Sequence, residues 1–165
     1  MKAILHTLNA SLFLHILFQC IKLNTTLPDR VASHFGSNGI GEAFITRDAF
    51  LLAYAGIATA TYLFMLLLSR NFKHIHANFI SMPNGDIWLA PHRREETNHI
   101  FEILMLWFSL GLLTLLTALL NLMANANQLS TPRLDTPIMI TVIIIYMAFV
   151  AGWTFFIYRR FNRPG

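Results

Sequence analysis

Four separate stretches of the sequence are long and apolar enough to cross a membrane, and they constrain the fold more than any other feature. They cover residues 3–23, 50–69, 100–123 and 138–158. A transmembrane helix needs about 20 mostly apolar residues, because the hydrocarbon core of a bilayer is about 30 Å thick and a helix rises about 1.5 Å per residue. We therefore predict an all-α membrane protein with four transmembrane helices in one integral domain, residues 1–165.

The composition of the chain favours the same class. Charged residues make up 12% and hydrophobic residues 55% of the sequence, whereas a soluble domain is about 25% charged. The net charge of +4 would suggest nucleic acid binding in a soluble protein, but here the basic residues lie beside apolar stretches, where they set topology and contact lipid headgroups. We therefore expect the lipid bilayer as a partner and no nucleic acid.

The distribution of basic residues predicts the orientation of the helices. One side of the membrane would carry the N-terminus, the second connection and the C-terminus, with eight basic residues: Lys2, Arg70, Lys73, Arg93, Arg94, Arg159, Arg160 and Arg163. The other side would carry four: Lys22, Arg30, Arg47 and Arg133. Because cytoplasmic loops carry the excess of lysine and arginine, we predict that both termini are cytoplasmic.

The first connection, residues 24–48, contains the longest turn-rich passage before the second half of the chain. Pro28 ends the first helix, and residues 30–35 can run extended. Glycines such as Gly39 adopt positive φ angles at little cost. This pattern predicts a structured loop on the outer face rather than a flexible one.

His34 is the main candidate for function in this outer loop. It follows the extended run, precedes the glycine-rich turn and lies just outside the membrane, where an imidazole can titrate near neutral pH or bind a partner. Alternatively, its ring hydrogen-bonds the turn and only fixes the loop. We predict a ligand-binding loop formed by His34, Phe35, Asn38 and Gly39.

The second connection, residues 70–98, has the pattern of a β-hairpin. Residues 79–82 and 87–89 are short apolar arms on either side of Asn84-Gly85, a turn sequence typical of hairpins. We therefore predict a hairpin-like loop on the cytoplasmic side.

Three residues of this second connection are predicted at the membrane interface: Trp88, Arg93 and Arg94. An indole has an apolar face and a polar edge, and therefore favours the level of the headgroups. Pro91 suits the first turn of a helix, so the third helix should begin near His92 and carry both arginines outside the bilayer. This arrangement predicts a basic collar at the membrane surface.

Two local patterns predict helix ends and helix packing. Thr46 is a suitable N-cap for the second helix. Small residues spaced by three or four positions let membrane helices approach closely. Such positions are Gly56 and Ala60 in the second helix, the small and polar stripe Gly111, Thr114, Ala118, Asn121 and Asn125 in the third, and Thr141, Ala148 and Gly152 in the fourth.

Histidines in the second connection could form a metal site. His74 and His76 would point the same way in an extended strand, and with a third imidazole or with Glu95 or Glu96 they could bind zinc or copper. No recognised ligand spacing is present, so the sequence leaves the metal unknown and predicts no cofactor.

The sequence contains no pattern typical of an enzyme or a transporter. No serine elbow, phosphate-binding glycine loop or nucleophile beside a base is present, so we expect no enzymatic activity. His15 and Glu102 are the only ionisable residues near a helix interior, which makes transport a weak alternative.

A motif in the first connection resembles that of a known family. It consists of Leu27-Pro28, His34-Phe35, Gly39 and the run 44–47 before a helix. It is similar to the extracytoplasmic motif of the SdpI-like membrane proteins, a bacterial family with a shared domain of unknown function. Residues 83–95, PNGDIWLAPHRRE, also resemble a segment that follows this domain in compact relatives. Two positions depart from the motif: Ala32 replaces a second proline, and Gly41 replaces a common one.

The resemblance implies a multi-pass protein of the bacterial cytoplasmic (inner) membrane with an exposed recognition loop. The best-known member of the family confers immunity to a secreted toxic peptide and helps to signal its presence. We therefore expect a non-enzymatic protein that binds a peptide, lipid or protein partner through its outer loop, in immunity or signalling. The alternatives are an accessory subunit that stabilises a larger membrane complex and a metal-assisted enzyme at the membrane interface.

Overall fold

Helices and a small antiparallel sheet make up the fold of the computed structural model, which describes residues 1–163. Two 3-10 turns, Phe72–His74 and Ala77–Phe79, follow the second helix. The elements are α1 (Lys2–Leu23), β1 (Arg30–Phe35), β2 (Gly41–Thr46), α2 (Arg47–Asn71), α3 (Gly85–Trp88), α4 (Arg94–Asn127) and α5 (Thr136–Phe161).

Four of these helices, α1, α2, α4 and α5, are long and apolar enough to cross a membrane. This confirms the four helices predicted from the sequence. The all-α prediction is incomplete, because β1 and β2 form a two-stranded sheet. The helices also extend past the predicted limits. At 34 residues, α4 is about 50 Å long, which exceeds the thickness of the hydrocarbon core by several turns.

Helices α1, α2 and α4 form the core of the bundle. Ile16, Ala58 and Leu113, one from each helix, are completely buried. Phe13 of α1 and Tyr62 of α2 stack with ring centroids 4.6 Å apart. Because these contacts involve all three helices, the bundle is a three-helix core onto which the remaining elements pack.

Helix α5 lies outside this core, against α4. None of its most apolar 18-residue window is buried. Trp153 Nε1 donates a hydrogen bond to Leu104 O at 3.1 Å, and the Trp153 ring lies 4.6 Å from that of Phe108. Helix α5 therefore packs on α4 through one half-buried face, Met139, Val142, Tyr146, Phe149, Trp153 and Ile157, and several of these contacts are aromatic.

The bundle has two distinct ends. At the hairpin end, β1 and β2 pack beside the α4–α5 connection. At the terminal end, Lys2 forms an ion pair with Glu102, and His6 Nε2 lies 3.4 Å from the other oxygen of the same carboxylate. Glu102, a candidate for transport in the sequence, is thereby part of a contact between α1 and α4.

The β-hairpin predicted for the second connection is wrong. Asn84 adopts a left-handed conformation with φ of 51°, but Gly85 begins the helical turn α3, in which the Ile87 and Trp88 amides donate to Asn84 O. Within the described part of residues 70–98 there is no strand. The left-handed conformation of Asn84 is compatible with a helix start as well as with a hairpin turn, so the sequence signal was ambiguous.

Small residues pack only in part as predicted. A Cβ at Gly111 would lie 2.4 Å from Cε1 of Phe149, so α5 contacts α4 closely there. Gly56 and Gly152 have no such neighbour, since nothing described lies within 4 Å of a Cβ built on either. The glycine of α4 is thus used inside the bundle, whereas those of α2 and α5 lie on its surface.

Candidate functional site

The first connection folds into an antiparallel hairpin, β1 and β2, which we call the hairpin. Arg30 lies opposite Thr46, and the register shifts near His34, where the strand bulges. Residues 30–35 are extended as predicted, whereas β2 was not anticipated. The Thr46 side chain accepts a hydrogen bond from Ala49 N at 3.3 Å, which confirms the predicted cap and starts α2 directly after the strand.

The turn of the hairpin is built by Asn38 and Gly39. Asn38 Oδ1 accepts a hydrogen bond from Ile40 N at 2.9 Å, which is the geometry of an Asx turn. Gly39 has a φ of 78°, in the left-handed region that favours glycine. Both residues therefore define the shape of the loop.

The α4–α5 connection holds this turn in place. Leu134 N donates to Gly39 O at 2.8 Å, and Gly41 N donates to Pro132 O at 3.0 Å. Residues 40 and 133 form an isolated antiparallel bridge. These backbone contacts fix the turn relative to both α4 and α5, so the hairpin is not a free loop.

Asn127, the last residue of α4, fastens β1 to the bundle. Its side chain is 1% exposed. Its Oδ1 accepts from Ala32 N at 2.6 Å, and its Nδ2 donates to Ala32 O at 3.0 Å and to Met123 O at 2.9 Å. One amide thus satisfies both backbone groups of Ala32 where the register of the hairpin shifts.

Asn127 was not among the residues predicted from the sequence, because the predicted third helix ended at residue 123. The buried positions Leu113, Leu120, Ala124 and Asn127 are spaced by seven, four and three residues, as one helical face requires. Continuing that period past residue 123 would have placed Asn127 on the face that contacts the core.

A cavity of about 380 Å³ lies between the hairpin and the two adjoining helices. We call it the hairpin cavity. Its hairpin wall is residues 33–37, and its other walls are Leu119, Leu122, Met123, Leu134, Thr136 and Met139. Apolar side chains from the helices therefore face a polar rim of Ser33, His34, Ser37 and Thr136.

The structure divides the four predicted ligand-binding residues into two pairs. His34 and Phe35 line the hairpin cavity, whereas Asn38 and Gly39 form the turn beside it. The side chain of His34 is exposed, and no hydrogen bond joins it to another residue in the described range 1–163. The alternative in which this imidazole fixes the loop by hydrogen bonding therefore has no contact to support it.

Alanine substitutions at two glycines, Gly39 and Gly56, should change the free energy of unfolding in different directions. We expect Gly39→Ala to destabilise the protein by about 1–3 kcal/mol, because φ of 78° strains an L-residue and the new Cβ would lie 2.7 Å from Leu134 O. Gly56→Ala should be neutral or stabilising by up to about 1 kcal/mol, because helical Gly56 has open space around it. Chemical unfolding in mild detergent measures both; equal effects would contradict the strained turn.

The predicted interface residue Trp88 is completely buried, so its indole has no wet edge. Its Nε1 donates to Phe161 O at 2.9 Å, and its ring meets the Phe161 ring edge-on at 5.3 Å between centroids. Thr97 Oγ1 donates to Trp88 O at 2.6 Å. Trp88 thus joins the second connection, the start of α4 and the end of α5 at the terminal end.

Arg93 covers one part of this tryptophan. Its guanidinium carbon is 3.9 Å from the centroid of the Trp88 ring, and that of Arg160 is 4.7 Å away. Both arginines also contact Glu96, at 3.3 Å and 3.1 Å. These two cations are therefore paired with a carboxylate of the protein itself.

Arg94 is also used internally. Its Nη2 donates to Ile75 O at 2.6 Å and to Phe72 O at 3.3 Å, and its guanidinium lies over the Phe72 ring at 5.4 Å. Arg94 therefore orders the turns that follow α2. The residues predicted to organise the terminal end do lie there, but as two separate groups, one around Trp88 and one around Phe72.

The structure gives no ligand set for the suggested metal site. Among residues 1–163, no group of three or more histidine, cysteine, aspartate or glutamate side chains is arranged to hold a metal ion. His74 and His76 lie in and after the 3-10 turn Phe72–His74, not along one extended strand. The geometric premise of that site is therefore missing.

Comparison with known protein families, with curated proteins and with solved structures finds no match.

Proposed function

We propose that the protein is a non-enzymatic membrane protein that binds a peptide, lipid or protein partner at the hairpin cavity. The observation that carries this proposal is the unpaired His34 ring at the rim of an apolar cavity whose walls are fixed by Asn127 and by the α4–α5 connection. Cavities of a few hundred Å³ with apolar walls and a few polar groups are typical ligand sites. A pre-formed site of this kind also reduces the entropic cost of binding.

The chemistry of the lining supports binding more than catalysis. Among the described residues that line the hairpin cavity, His34 has the only titratable side chain; the other polar groups are hydroxyls. Acid–base or nucleophilic catalysis needs a base held against a second reactive group. A single imidazole with hydroxyl neighbours is suited to hydrogen-bond a partner.

The proposed setting is the bacterial inner membrane, with both termini cytoplasmic and the hairpin outside. The excess of basic residues at the terminal end supports this orientation. The motif around Leu27-Pro28 and His34-Phe35 supports an SdpI-like role in immunity or signalling. In that setting the hairpin cavity would meet partners that arrive from outside the cell or from within the bilayer.

A second candidate function is an accessory subunit of a larger membrane complex. The observation that favours it is the outward face of α5, on which Thr141, Ala148 and Gly152 are all exposed. Small residues on an exposed membrane face suit close contact with another helix. A stoichiometric protein that co-purifies in mild detergent would support this function.

Site-specific photo-crosslinking tests the proposed binding site. We expect a diazirine-bearing phenylalanine at position 35, which lines the hairpin cavity, to capture a partner in intact membranes. The same residue at position 79 is the control, because Phe79 is 85% exposed at the terminal end. Adducts are identified by mass spectrometry of the purified chain. Absence of any adduct at position 35 would contradict the proposed function.

A further inference from the structure

A second cavity lies along α4 and α5, outside the hairpin cavity. We call it the α4–α5 groove; its volume is about 320 Å³. On α4 it runs from Trp107 to Ala118, and on α5 from Val142 to Phe149. Its lining is apolar except for Thr114 and the polar atoms of Trp107 and Tyr146. Its α5 wall includes Val142, Tyr146 and Phe149, which are half-buried.

The α4–α5 groove and the hairpin cavity follow one another along α4 and α5, and we call the two together the crevice. On α4 the groove ends at Ala118 and the cavity begins at Leu119; on α5 the groove begins at Val142 and the cavity ends at Met139. These limits are adjacent on α4 and one helical turn apart on α5. Between Thr136 and Phe149 the crevice is roughly 20 Å long, by the rise of an α-helix.

The polarity of this crevice changes along its length. The α4–α5 groove is mostly apolar, whereas the hairpin cavity carries the hydroxyls of Ser37 and Thr136 and the imidazole of His34. All three groups can donate hydrogen bonds. A ligand that matches this gradient has an apolar tail and an oxygen-rich head that accepts hydrogen bonds.

The dimensions of the crevice favour a lipid chain over a helix. A helix about 10 Å wide and 20 Å long needs a volume on the order of 1,500 Å³, whereas the two parts of the crevice have volumes of about 320 Å³ and 380 Å³. A length of roughly 20 Å compares with about 15 Å for one leaflet of the hydrocarbon core. One acyl chain therefore fits the crevice in the orientation that it has in the bilayer.

We propose that the crevice between α4 and α5 binds one phospholipid, with an acyl chain in the α4–α5 groove and its ester and phosphate oxygens under the hairpin. This inference rests on the proposed function and narrows its partner to a lipid. Access is lateral, because Trp107 at the groove is 46% exposed. The ligand can therefore come directly from the surrounding membrane.

The test combines the crosslinker at position 35 with substitutions far from the hairpin. Thr114 lies in the α4–α5 groove and Thr141 outside it, and both are exposed threonines whose hydroxyls donate to the carbonyl four residues earlier. We expect a phospholipid adduct at position 35 in the parent chain. Thr114→Phe should reduce it about tenfold by filling the groove, and Thr141→Phe should leave it unchanged.

The other outcomes distinguish the proposed binding of a partner at the hairpin cavity from the proposed binding of a phospholipid in the crevice. Ala118→Phe provides a second filled groove in case Thr114→Phe misfolds. If both groove variants keep the lipid adduct, the acyl chain does not occupy the groove, while binding at the hairpin cavity stands. A peptide or protein adduct, including a second copy of the chain, overturns the lipid and keeps the proposed function. No adduct at position 35 in the parent chain overturns both.

Discussion

Asn127→Ala is expected to lower the free energy of unfolding by about 2–5 kcal/mol. The substitution removes the side chain that hydrogen-bonds both the N–H and the C=O group of Ala32, which is itself buried. Each buried backbone group left unsatisfied costs about 1–3 kcal/mol. Chemical unfolding in mild detergent measures the change, and proteolysis between residues 30 and 46 should become faster as the hairpin loosens.

Asn125→Ala is the matched control for this prediction. Asn125 lies two residues earlier on α4 and its side chain is exposed, so its replacement should change the free energy of unfolding by no more than about 0.5 kcal/mol. Similar losses for the two variants would mean that Asn127 acts only through the helix end. A selective loss for Asn127→Ala would establish it as the residue that positions the hairpin cavity.

Trp88→Ala is expected to have the other large effect, a loss of about 3–5 kcal/mol. Removal of a completely buried tryptophan leaves a cavity and deprives the Phe161 carbonyl of one of its two side-chain donors, leaving that of Asn84. Trp88→Phe should lose less, because it keeps an apolar ring and gives up only the indole donor. Chemical unfolding in mild detergent again gives the comparison.

Trp107→Ala serves as the control for the size of the residue removed. Trp107 is 46% exposed on the surface of the bundle, and its replacement should cost less than half as much as that of Trp88. Equal costs would contradict the role of Trp88 in joining α4, α5 and the second connection. The comparison also separates burial in protein from contact with lipid or detergent.

The four membrane helices could be predicted because hydropathy over about 20 residues is a local signal. The turn at Asn38 and Gly39 could be predicted for the same reason, since turn preferences depend on the residues of the turn itself. Strand β2 could not be predicted from its own residues. Its residues 41–46 are exposed or half-buried on both faces, so they show no apolar alternation, and the strand exists only because β1 is beside it.

Contacts between distant residues explain why the burial of Trp88 at the terminal end could not be predicted. Trp88 is buried by Phe161, 73 residues later in the sequence, and by the arginines on either side. A single tryptophan near a membrane helix has the same local sequence whether it faces headgroups or a protein core. The residue type of Trp88 favours the membrane interface, and only its tertiary contact with Phe161 of α5 shows that the side chain is buried.

The hydrogen bonds between Asn127 and Ala32 have a consequence for which sequences can adopt this hairpin. An imino acid at position 32 could not donate to Asn127 Oδ1, because proline has no N–H group. The side-chain amide at position 127 can therefore accept this hydrogen bond only if the residue at position 32 is not proline. A chain with proline at position 32 must hold this strand by other contacts, whereas in the present chain the Asn127 amide holds a strand whose backbone proline does not stiffen.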